Sequence, residues 1–192
     1  IHSGFVNDVE NGIRRRFNRD ISEFDLIPGS PLSYWVPKEI RDLYQNDTVL
    51  GKKGEYDGRH GISEIRPGIT TGDDTRFLQY FWENTNNRCV PISKGGVDSW
   101  LLPKIKNSIV WENNGSEVRR FSGGNGTPSE EFYFKKGITF NRVKESGKRF
   151  GYLHSNSIFG DKAPVMFSER DIWSILSYVN SSLFTYLMLS QT

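Results

Sequence analysis

The sequence predicts an α+β fold, in which an irregular, mostly antiparallel β-sheet domain carries helices at both ends. Short apolar segments separated by glycine, asparagine and proline occupy the middle of the chain, a composition typical of antiparallel strands. Near both termini, apolar residues instead recur at intervals of three and four, as in amphipathic helices. With 192 residues, 35% of them hydrophobic, the chain is long enough for one domain with a sizeable core.

The N-terminal part predicts two helices and a loop. Apolar residues recur at every fourth position and predict an amphipathic helix over about residues 7–18: Phe5, Val9, Ile13 and Phe17. The arginines of this segment are interpreted as a solvated face in preference to a phosphate contact: Arg14, Arg15, Arg16 and Arg19. Pro37 suits the first turn of a second helix that runs to about residue 45. The polar, glycine-containing residues 47–61 predict a loop.

The middle of the chain predicts short strands. Seven segments have the composition of a strand: residues 62–65, 89–92, 108–111, 131–134, 138–143, 150–153 and 165–167. Asp73 or Asp74 is expected to cap a short helix that contains Phe77, Leu78, Phe81 and Trp82. Asn113-Asn114-Gly115 and Lys136-Gly137 predict turns. Four tryptophans are expected in the core because of their large apolar rings: Trp35, Trp82, Trp111 and Trp173.

The C-terminal part returns to a helical pattern. Ser168 is the predicted N-cap, and the apolar residues that follow have helical spacing: Ile172, Ile175, Leu176, Val179, Leu183, Phe184 and Leu187. Residues 180–182 predict a break into two helices. We therefore divide the chain into an N-terminal helical and linker segment (1–46), a β-rich domain (47–167) and a C-terminal helical segment (168–192).

Composition and charge exclude several classes of protein. The 25 lysines and arginines against 23 acidic residues give a net charge of +2, too little to indicate nucleic-acid binding by itself. The single cysteine, Cys89, excludes an internal disulfide and fits a reducing compartment, so a cytoplasmic location is expected. No segment is apolar for long enough to span a bilayer, and no membrane partner is expected.

The sequence also lacks the motifs of several catalytic sites. It contains no acidic residue two positions before a lysine, which one common nuclease motif requires. It also contains no Pro-Pro turn, with which amino-methyltransferases hold a flipped base. His2, His60 and His154 have no zinc-binding spacing, so no metal is expected. Gly123-Gly124-Asn125-Gly126 lacks the dinucleotide fingerprint and is interpreted as a flexible loop. We therefore expect no catalytic residue and no cofactor-binding residue in this chain.

Several segments, in this order, resemble a known family: IPGSPLSYW (27–35), GITTGDDTRF (68–77), PISKGG (91–96), VWENNG (110–115), KGITFNR (136–142) and VNS (179–181). Over about residues 24–192, the chain resembles the target-recognition region that follows the catalytic domain of large bacterial adenine-N6 DNA methyltransferases. The resemblance is to the methyltransferases of BREX phage-exclusion systems, with type IIG restriction–modification enzymes as cousins. The sequence departs from the family pattern at Phe140, where a tryptophan is usual, and near residues 99–102, where only Trp100 is retained.

The resemblance implies a non-catalytic fragment that recognises a DNA target, with a fold similar to type I specificity-subunit recognition domains. The chain opens at Ile1 without a methionine, and we expect the catalytic domain upstream of it. S-adenosylmethionine is then the cofactor of the parent protein and not of this fragment. The implied partners are double-stranded DNA and other subunits of a defence complex. The alternative is a protein-interaction module that docks such subunits.

The candidate DNA-binding residues lie in three stretches and one loop. Thr71 and Gly72 offer a hydroxyl and an open backbone to a phosphate, with Arg76 one helical turn further along. Lys94 beside Gly95 repeats this combination of a cation with a close backbone approach.

The third stretch is a predicted strand, and the loop contains one aromatic candidate. Thr139, Arg142 and Lys144 lie on the strand, for which a plain solvent-exposed sheet face is the alternative. Trp100, in a predicted loop, is the aromatic candidate for a DNA contact. Arg119 and Arg120 are interpreted equally well as a surface pair.

Overall fold

The computed structural model describes residues 2–8, 13–27, 31–45, 48–51, 60–84, 88–95, 101–122, 126–142 and 150–190. These residues form an α+β fold with two four-stranded sheets, two two-stranded sheets and helices, which confirms the predicted fold class. Near the N-terminus, the helix predicted over residues 7–18 is wrong.

The chain begins with a β-hairpin in place of the predicted helix over residues 7–18. Strands β1 (His2–Asp8) and β2 (Ile13–Arg19) pair antiparallel along their whole length, with His2 opposite Arg19. An apolar residue at every fourth position fits a helix, but it also fits a strand, because side chains on one face of a strand repeat every two residues. The spacing alone therefore does not distinguish the two. Asn11-Gly12, between the two strands, is a common hairpin sequence and was the signal to weigh against the helical period.

Residues 20–61 contain short elements. A 3-10 helix (Ile21–Leu26) is followed by α1 (Lys38–Asp42), which continues as a 3-10 turn (Leu43–Gln45), as predicted after Pro37. The guanidinium of Arg41 is buried and pairs with Glu23, which ties α1 to the preceding 3-10 helix. Strand β3 (Thr48–Val49) pairs parallel with β4 (His60–Gly61).

The rest of the chain contains most of the regular structure. In chain order its elements are β5 (Glu64–Arg66), α2 (Asp74–Phe77), β6 (Leu78–Tyr80), β7 (Cys89–Ser93), β8 (Asn107–Val110), α3 (Ser116–Phe121), β9 (Gly137–Phe140), β10 (Phe150–Leu153), β11 (Ile158–Phe159), β12 (Val165–Phe167), α4 (Ile172–Val179) and α5 (Ser182–Leu189). Further 3-10 helices span Phe81–Glu83, Glu112–Gly115 and Glu130–Phe132.

The two larger sheets share one antiparallel plan with a single exception. The first sheet has the order β10-β9-β12-β5 and is antiparallel throughout. The second has the order β11-β7-β8-β6, in which β11 runs parallel to β7 and the other pairs are antiparallel. The predicted strands over 89–92, 108–111, 150–153 and 165–167 are thereby confirmed within one residue.

Three local predictions in the β region are wrong. Residues 131–134 do not form a strand, because Ser129 and Phe134 have positive φ angles of 62° and 60° that interrupt extended backbone on both sides. Asp73 caps α2 as expected, but α2 ends at Phe77 and the chain then pairs with β8 instead of continuing as a helix. The strand expected over 138–143 ends at Phe140 in β9, so Arg142 lies beyond it.

The C-terminal helical prediction is confirmed, including its break. Asp171 is the N-cap of α4, whereas the predicted cap, Ser168, donates its hydroxyl to the carbonyl of Ile62. Ser181 caps α5, and the two helices meet at an angle of 60°. In the part of the chain that the structure describes, no single helix has the length and apolarity to cross a membrane; α4 and α5 pass that test only as a bent pair.

The core has two parts. One lies around β7, β8 and β11 and contains ten buried residues: Ile69, Phe77, Ile92, Ile109, Val118, Tyr133, Leu153, Ile158, Phe159 and Val165. The other lies between the first sheet and α4: Ile138, Phe150, Met166, Ile175, Leu176 and Val179.

Of the four tryptophans that the structure describes, three lie outside these two core parts. Trp111 packs against the first part, as predicted. Trp35, Trp82 and Trp173 are 43%, 60% and 53% exposed, so their predicted core location is wrong. Each of these three rings packs on a neighbouring tyrosine, which covers part of its surface without burying it in the core.

Candidate nucleic-acid interface

The two sheets meet at the loop formed by residues 160–164, which leaves β11 in the second sheet and enters β12 in the first. The amide of Gly160 donates to the carbonyl of Ser93 over 2.8 Å, and the amide of Asp161 donates to the carbonyl of Ile69 over 3.1 Å. On the other side, the amide of Arg142 donates to the carbonyl of Lys162 over 3.1 Å. We call residues 69–76, 93–95, 139–142 and 160–164 the sheet junction.

A lysine–aspartate pair connects two segments of the sheet junction. The Nζ atom of Lys94 lies 2.8 Å from Oδ1 and 3.0 Å from Oδ2 of Asp74, and the hydroxyl of Thr71 donates to the same carboxylate. Partial burial disfavours ionisation of Asp74, but the hydrogen bonds from Lys94 and Thr71 outweigh it and lower the pKa of this carboxyl. Lys94 is thus neutralised by a neighbour, and a DNA phosphate would compete with Asp74 for it.

Arg76 follows on α2 and is exposed. Its guanidinium carbon lies 5.2 Å from the ring centroid of Phe77 and 5.2 Å from that of Phe121, so the cation is held over two aromatic rings. Gly72, with φ of +74°, approaches the Phe121 ring closely enough that a Cβ atom would lie 3.4 Å from it. Within the described residues Arg76 forms no ion pair, which leaves its charge available to a ligand.

Gly95 and Thr139 hold the loop of the sheet junction in place. Gly95 has φ of +77°, and a Cβ atom there would lie 2.6 Å from the carbonyl oxygen of Lys162. The sequence suggested that the backbone at Gly95 lies close to a ligand. In the structure it lies close to the protein's own loop instead. Thr139 is 5% exposed, and its hydroxyl donates to the carbonyl of Ala163 over 3.4 Å.

The sheet junction contains seven of the nine candidate residues: Thr71, Gly72, Arg76, Lys94, Gly95, Thr139 and Arg142. Trp100 and Lys144 lie outside the described residues. Sequence reasoning missed Lys162, an exposed lysine whose charge also acts on Asp74, because a single lysine in a turn carries no distinctive signal. Among the described residues, Arg76, Arg142 and Lys162 are the exposed cations of the sheet junction without an ion-pair partner.

Other charged and nucleophilic groups have ordinary structural roles. Arg119 pairs with Glu130 over 2.6 Å, which fits the interpretation of Arg119 as a surface residue. Burial raises the pKa of the Cys89 thiol, which makes the reactive thiolate scarce at neutral pH. No group of His, Cys, Asp and Glu side chains among the described residues is arranged to hold a metal ion.

Comparison with known proteins gives two distant relatives and no matching family model. The chain is 24% identical over 179 residues to the adenine-specific methyltransferase BrxX of Escherichia coli O9:H4 (strain HS), covering 86% of this chain and 14% of that protein. It is 22% identical over 206 residues to the adenine-specific methyltransferase PglX of Lacticaseibacillus casei (strain Zhang), covering 93% of this chain and 16% of that protein. The chain is therefore a distant homologue of adenine-specific methyltransferases and spans about a seventh of their length.

Proposed function

We propose that this chain is the DNA target-recognition part of a bacterial adenine-N6 DNA methyltransferase that acts in phage defence or restriction–modification. The observation that carries the proposal is the similarity to two adenine-specific methyltransferases over 86% and 93% of the chain. The sequence has no Pro-Pro turn to grip a flipped base, so the proposal assigns methyl transfer to another part of the protein.

The sheet junction is the surface that we assign to DNA. Its exposed cations come from three separate segments, and contacts to phosphates from several directions fix the orientation of a duplex. Lys162, in the turn of the loop, suits a phosphate contact. Arg142, just beyond β9, carries the planar fork that reads a guanine edge in the major groove.

The first test is duplex binding by the 192-residue chain, measured by fluorescence anisotropy over a range of salt concentrations. The near-neutral net charge leads us to expect a dissociation constant of about 1 μM or weaker, with log affinity falling linearly as log salt rises. Failure to bind any duplex at low salt, together with capture of a partner protein, would replace this proposal with the alternative below.

Charge variants of the sheet junction sharpen this test. Lys162→Ala and Lys94→Ala are expected to weaken binding to all sequences alike and to reduce the salt slope by about one unit each. Asp74→Asn is expected to act in the opposite direction, because it releases Lys94 from its ion pair and removes a negative charge beside Lys162. An unchanged affinity in Asp74→Asn would remove Lys94 from the DNA-binding surface.

Arg142→Ala separates base recognition from general affinity. It is expected to cost about 1–3 kcal/mol on the cognate site and much less on random DNA. In the parent enzyme it is expected to relax site-specific methylation without affecting cofactor binding. A lower melting temperature with an unchanged specificity ratio would assign Arg142 a structural role instead.

S-adenosylmethionine belongs, in this proposal, to the part of the protein outside this chain. Nucleotide-binding sites of this kind place a glycine-rich turn immediately before a helix. The turns before the two eight-residue helices, residues 168–171 before α4 and 180–181 before α5, contain no glycine. We expect isothermal titration calorimetry of this chain to detect no S-adenosylmethionine binding. Saturable one-to-one binding would overturn the assignment of the chain to target recognition.

A protein-interaction module is the second candidate, and the surface of the C-terminal helices favours it. Large apolar side chains on α4 and α5 are exposed: Trp173, Tyr178, Leu183, Tyr186, Met188 and Leu189. Exposed apolar surface of this extent is typical of contact with another protein or domain. If Leu189→Asp abolished association with a partner subunit while DNA binding by the sheet junction was absent, the chain would serve this function instead.

A further inference from the structure

Three consecutive aromatic residues are exposed at one edge of the second sheet. Tyr80 ends β6, the edge strand, and Phe81 and Trp82 begin the following 3-10 helix. Their exposed fractions are 48%, 58% and 60%. We call these three residues the aromatic knuckle.

The rings of the aromatic knuckle have a defined geometry. Tyr80 and Trp82 are stacked with their centroids 4.5 Å apart and their planes at 5°, and Phe81 meets Trp82 edge-on at 5.0 Å and 83°. This is the parallel arrangement that flat aromatic groups adopt in a stack, and its outer surface is open to water.

The backbone beneath these rings is fixed by hydrogen bonds. The amide of Phe81 donates to the carbonyl of Lys106 over 2.9 Å, and the amide of Tyr80 donates to the carboxylate of Glu83 over 2.7 Å. The carboxylate of Glu83, which follows the rings in sequence, therefore accepts from the protein's own backbone. Lys106, whose backbone lies next to Phe81, is exposed, and Lys104 is exposed two residues earlier in the chain, so the positive charge near the aromatic knuckle suits a polyanion.

We infer that the aromatic knuckle stacks against an unpaired nucleobase of the DNA that the sheet junction binds. The inference rests on the proposed function. Exposed aromatic rings near positive charge are the means by which proteins hold unstacked bases of any sequence. Strand β6 directly connects α2, in the sheet junction, to the aromatic knuckle. The three residues of β6 span about 10 Å, which is less than one turn of a duplex, so one DNA molecule can reach both sites.

The test compares two duplexes of identical sequence, of which one contains a single extra, unpaired thymine. The 192-residue chain is expected to bind the bulged duplex about tenfold more tightly than the fully paired one. Trp82→Ala is expected to remove this preference, and Trp82→Phe, which keeps an aromatic ring, is expected to retain most of it. Trp173→Ala is the matched control, because Trp173 is also exposed and stacked on a tyrosine but lies on α4.

A second measurement does not depend on any variant. When 2-aminopurine replaces the unpaired thymine, stacking on the aromatic knuckle is expected to quench its fluorescence on binding by the wild-type chain. Equal affinity for the two duplexes, no quenching, or an equal effect of Trp173→Ala would each overturn the inference. Salt-dependent binding to the paired duplex would still support the proposed function in those cases, whereas no binding to either duplex would end both. Altered self-association of Trp82→Ala with unchanged DNA binding would assign the aromatic knuckle to protein contact.

Discussion

The sheet junction and the C-terminal helices are specified in different ways. In the sheet junction, individual polar contacts hold segments that are distant in sequence, as between Lys94 and Asp74. The helical end, by which we mean residues 172–190, packs on the first sheet mainly through apolar side chains, and hydrogen bonds from residues 31–45 reach the carbonyls at the end of α5. Tyr44, for example, donates its hydroxyl to Leu187 over 2.6 Å. The helical end thus follows from a repeating apolar pattern, whereas the sheet junction depends on particular residues.

The largest effect is expected on the free energy of unfolding, when one core residue of each region is replaced by alanine. Phe159, beside the sheet junction, packs against Tyr133 and Phe167, and its backbone carbonyl would lie 2.0 Å from a Cβ atom placed on Gly68. Because these close backbone contacts prevent collapse into a cavity, Phe159→Ala is expected to lower the free energy of unfolding by about 3–5 kcal/mol. Leu176→Ala in α4 is expected to cost less, since helices readjust more easily. Urea denaturation of both variants measures the difference, and a larger cost for Leu176→Ala would contradict the comparison.

The next prediction concerns Asn180, whose side chain joins the end of α4 to the first sheet. The side-chain amide of Asn180 donates to the carbonyls of Phe150 and Leu176 over 2.8 and 3.0 Å and accepts from the amide of Phe150. Asn180→Ala removes the side-chain partners of the Phe150 amide and carbonyl, while the carbonyl of Leu176 keeps its bond from the backbone amide of residue 180. The substitution is expected to cost about 1–3 kcal/mol in urea denaturation. Ser177→Ala, on the exposed face of α4, is the control and is expected to stabilise by a few tenths of a kcal/mol. If the two variants changed the free energy of unfolding equally, the hydrogen bonds of the Asn180 side chain would not contribute to stability.

A glycine substitution probes the sheet junction without changing charge. Gly95→Ala forces a side chain into the left-handed region and against the carbonyl of Lys162, and we expect it to cost about 1–2 kcal/mol. It is also expected to weaken duplex binding, because it displaces the loop that carries Lys162. Thermal unfolding and anisotropy, measured on one preparation, check both effects. Normal stability would contradict the close packing described here.

The smallest expected effect is the pH dependence of the Lys94–Asp74 pair. The folded protein lowers the pKa of Asp74 below its ordinary value of 3.8, so the pair contributes stability above that pH and loses it as the pH falls further. Because Asp74 is largely exposed, we expect the contribution to be below about 1 kcal/mol. The unfolding free energies of wild type and Asp74→Asn should differ at pH 7 and converge below about pH 4. A difference that persists in acid would exclude the ion pair as its cause.

Much of the fold was predictable, and the exceptions have physical reasons. Strands β7, β8, β10 and β12 and the break between α4 and α5 follow from composition, spacing and turn residues. The N-terminal hairpin was missed because its apolar spacing fits two periods. The three exposed tryptophans were misplaced because apolarity does not reveal that a neighbouring tyrosine ring covers part of the surface.

The candidate site was predictable in location more than in chemistry. Glycines, hydroxyls and cations near predicted strand ends indicated three segments, and the fold brings these segments together in the sheet junction. Sequence could not reveal that Asp74 neutralises Lys94, since that pair depends on how α2 and β7 are arranged in space. The influence of Lys162 on Asp74 likewise depends on the loop between the two sheets. The DNA contacts themselves stay predictions.

The loop between the two sheets has a consequence for how the chain folds. The carbonyls of Ile69 and Ser93 are distant in sequence from the amides of Asp161 and Gly160 to which they bind, so these bonds close long stretches of chain. The contacts within α4 and α5 are local and form early, whereas contacts between distant segments slow folding. We expect the sheet junction to be completed late in folding. A folding intermediate would then present structured helices but no assembled sheet junction.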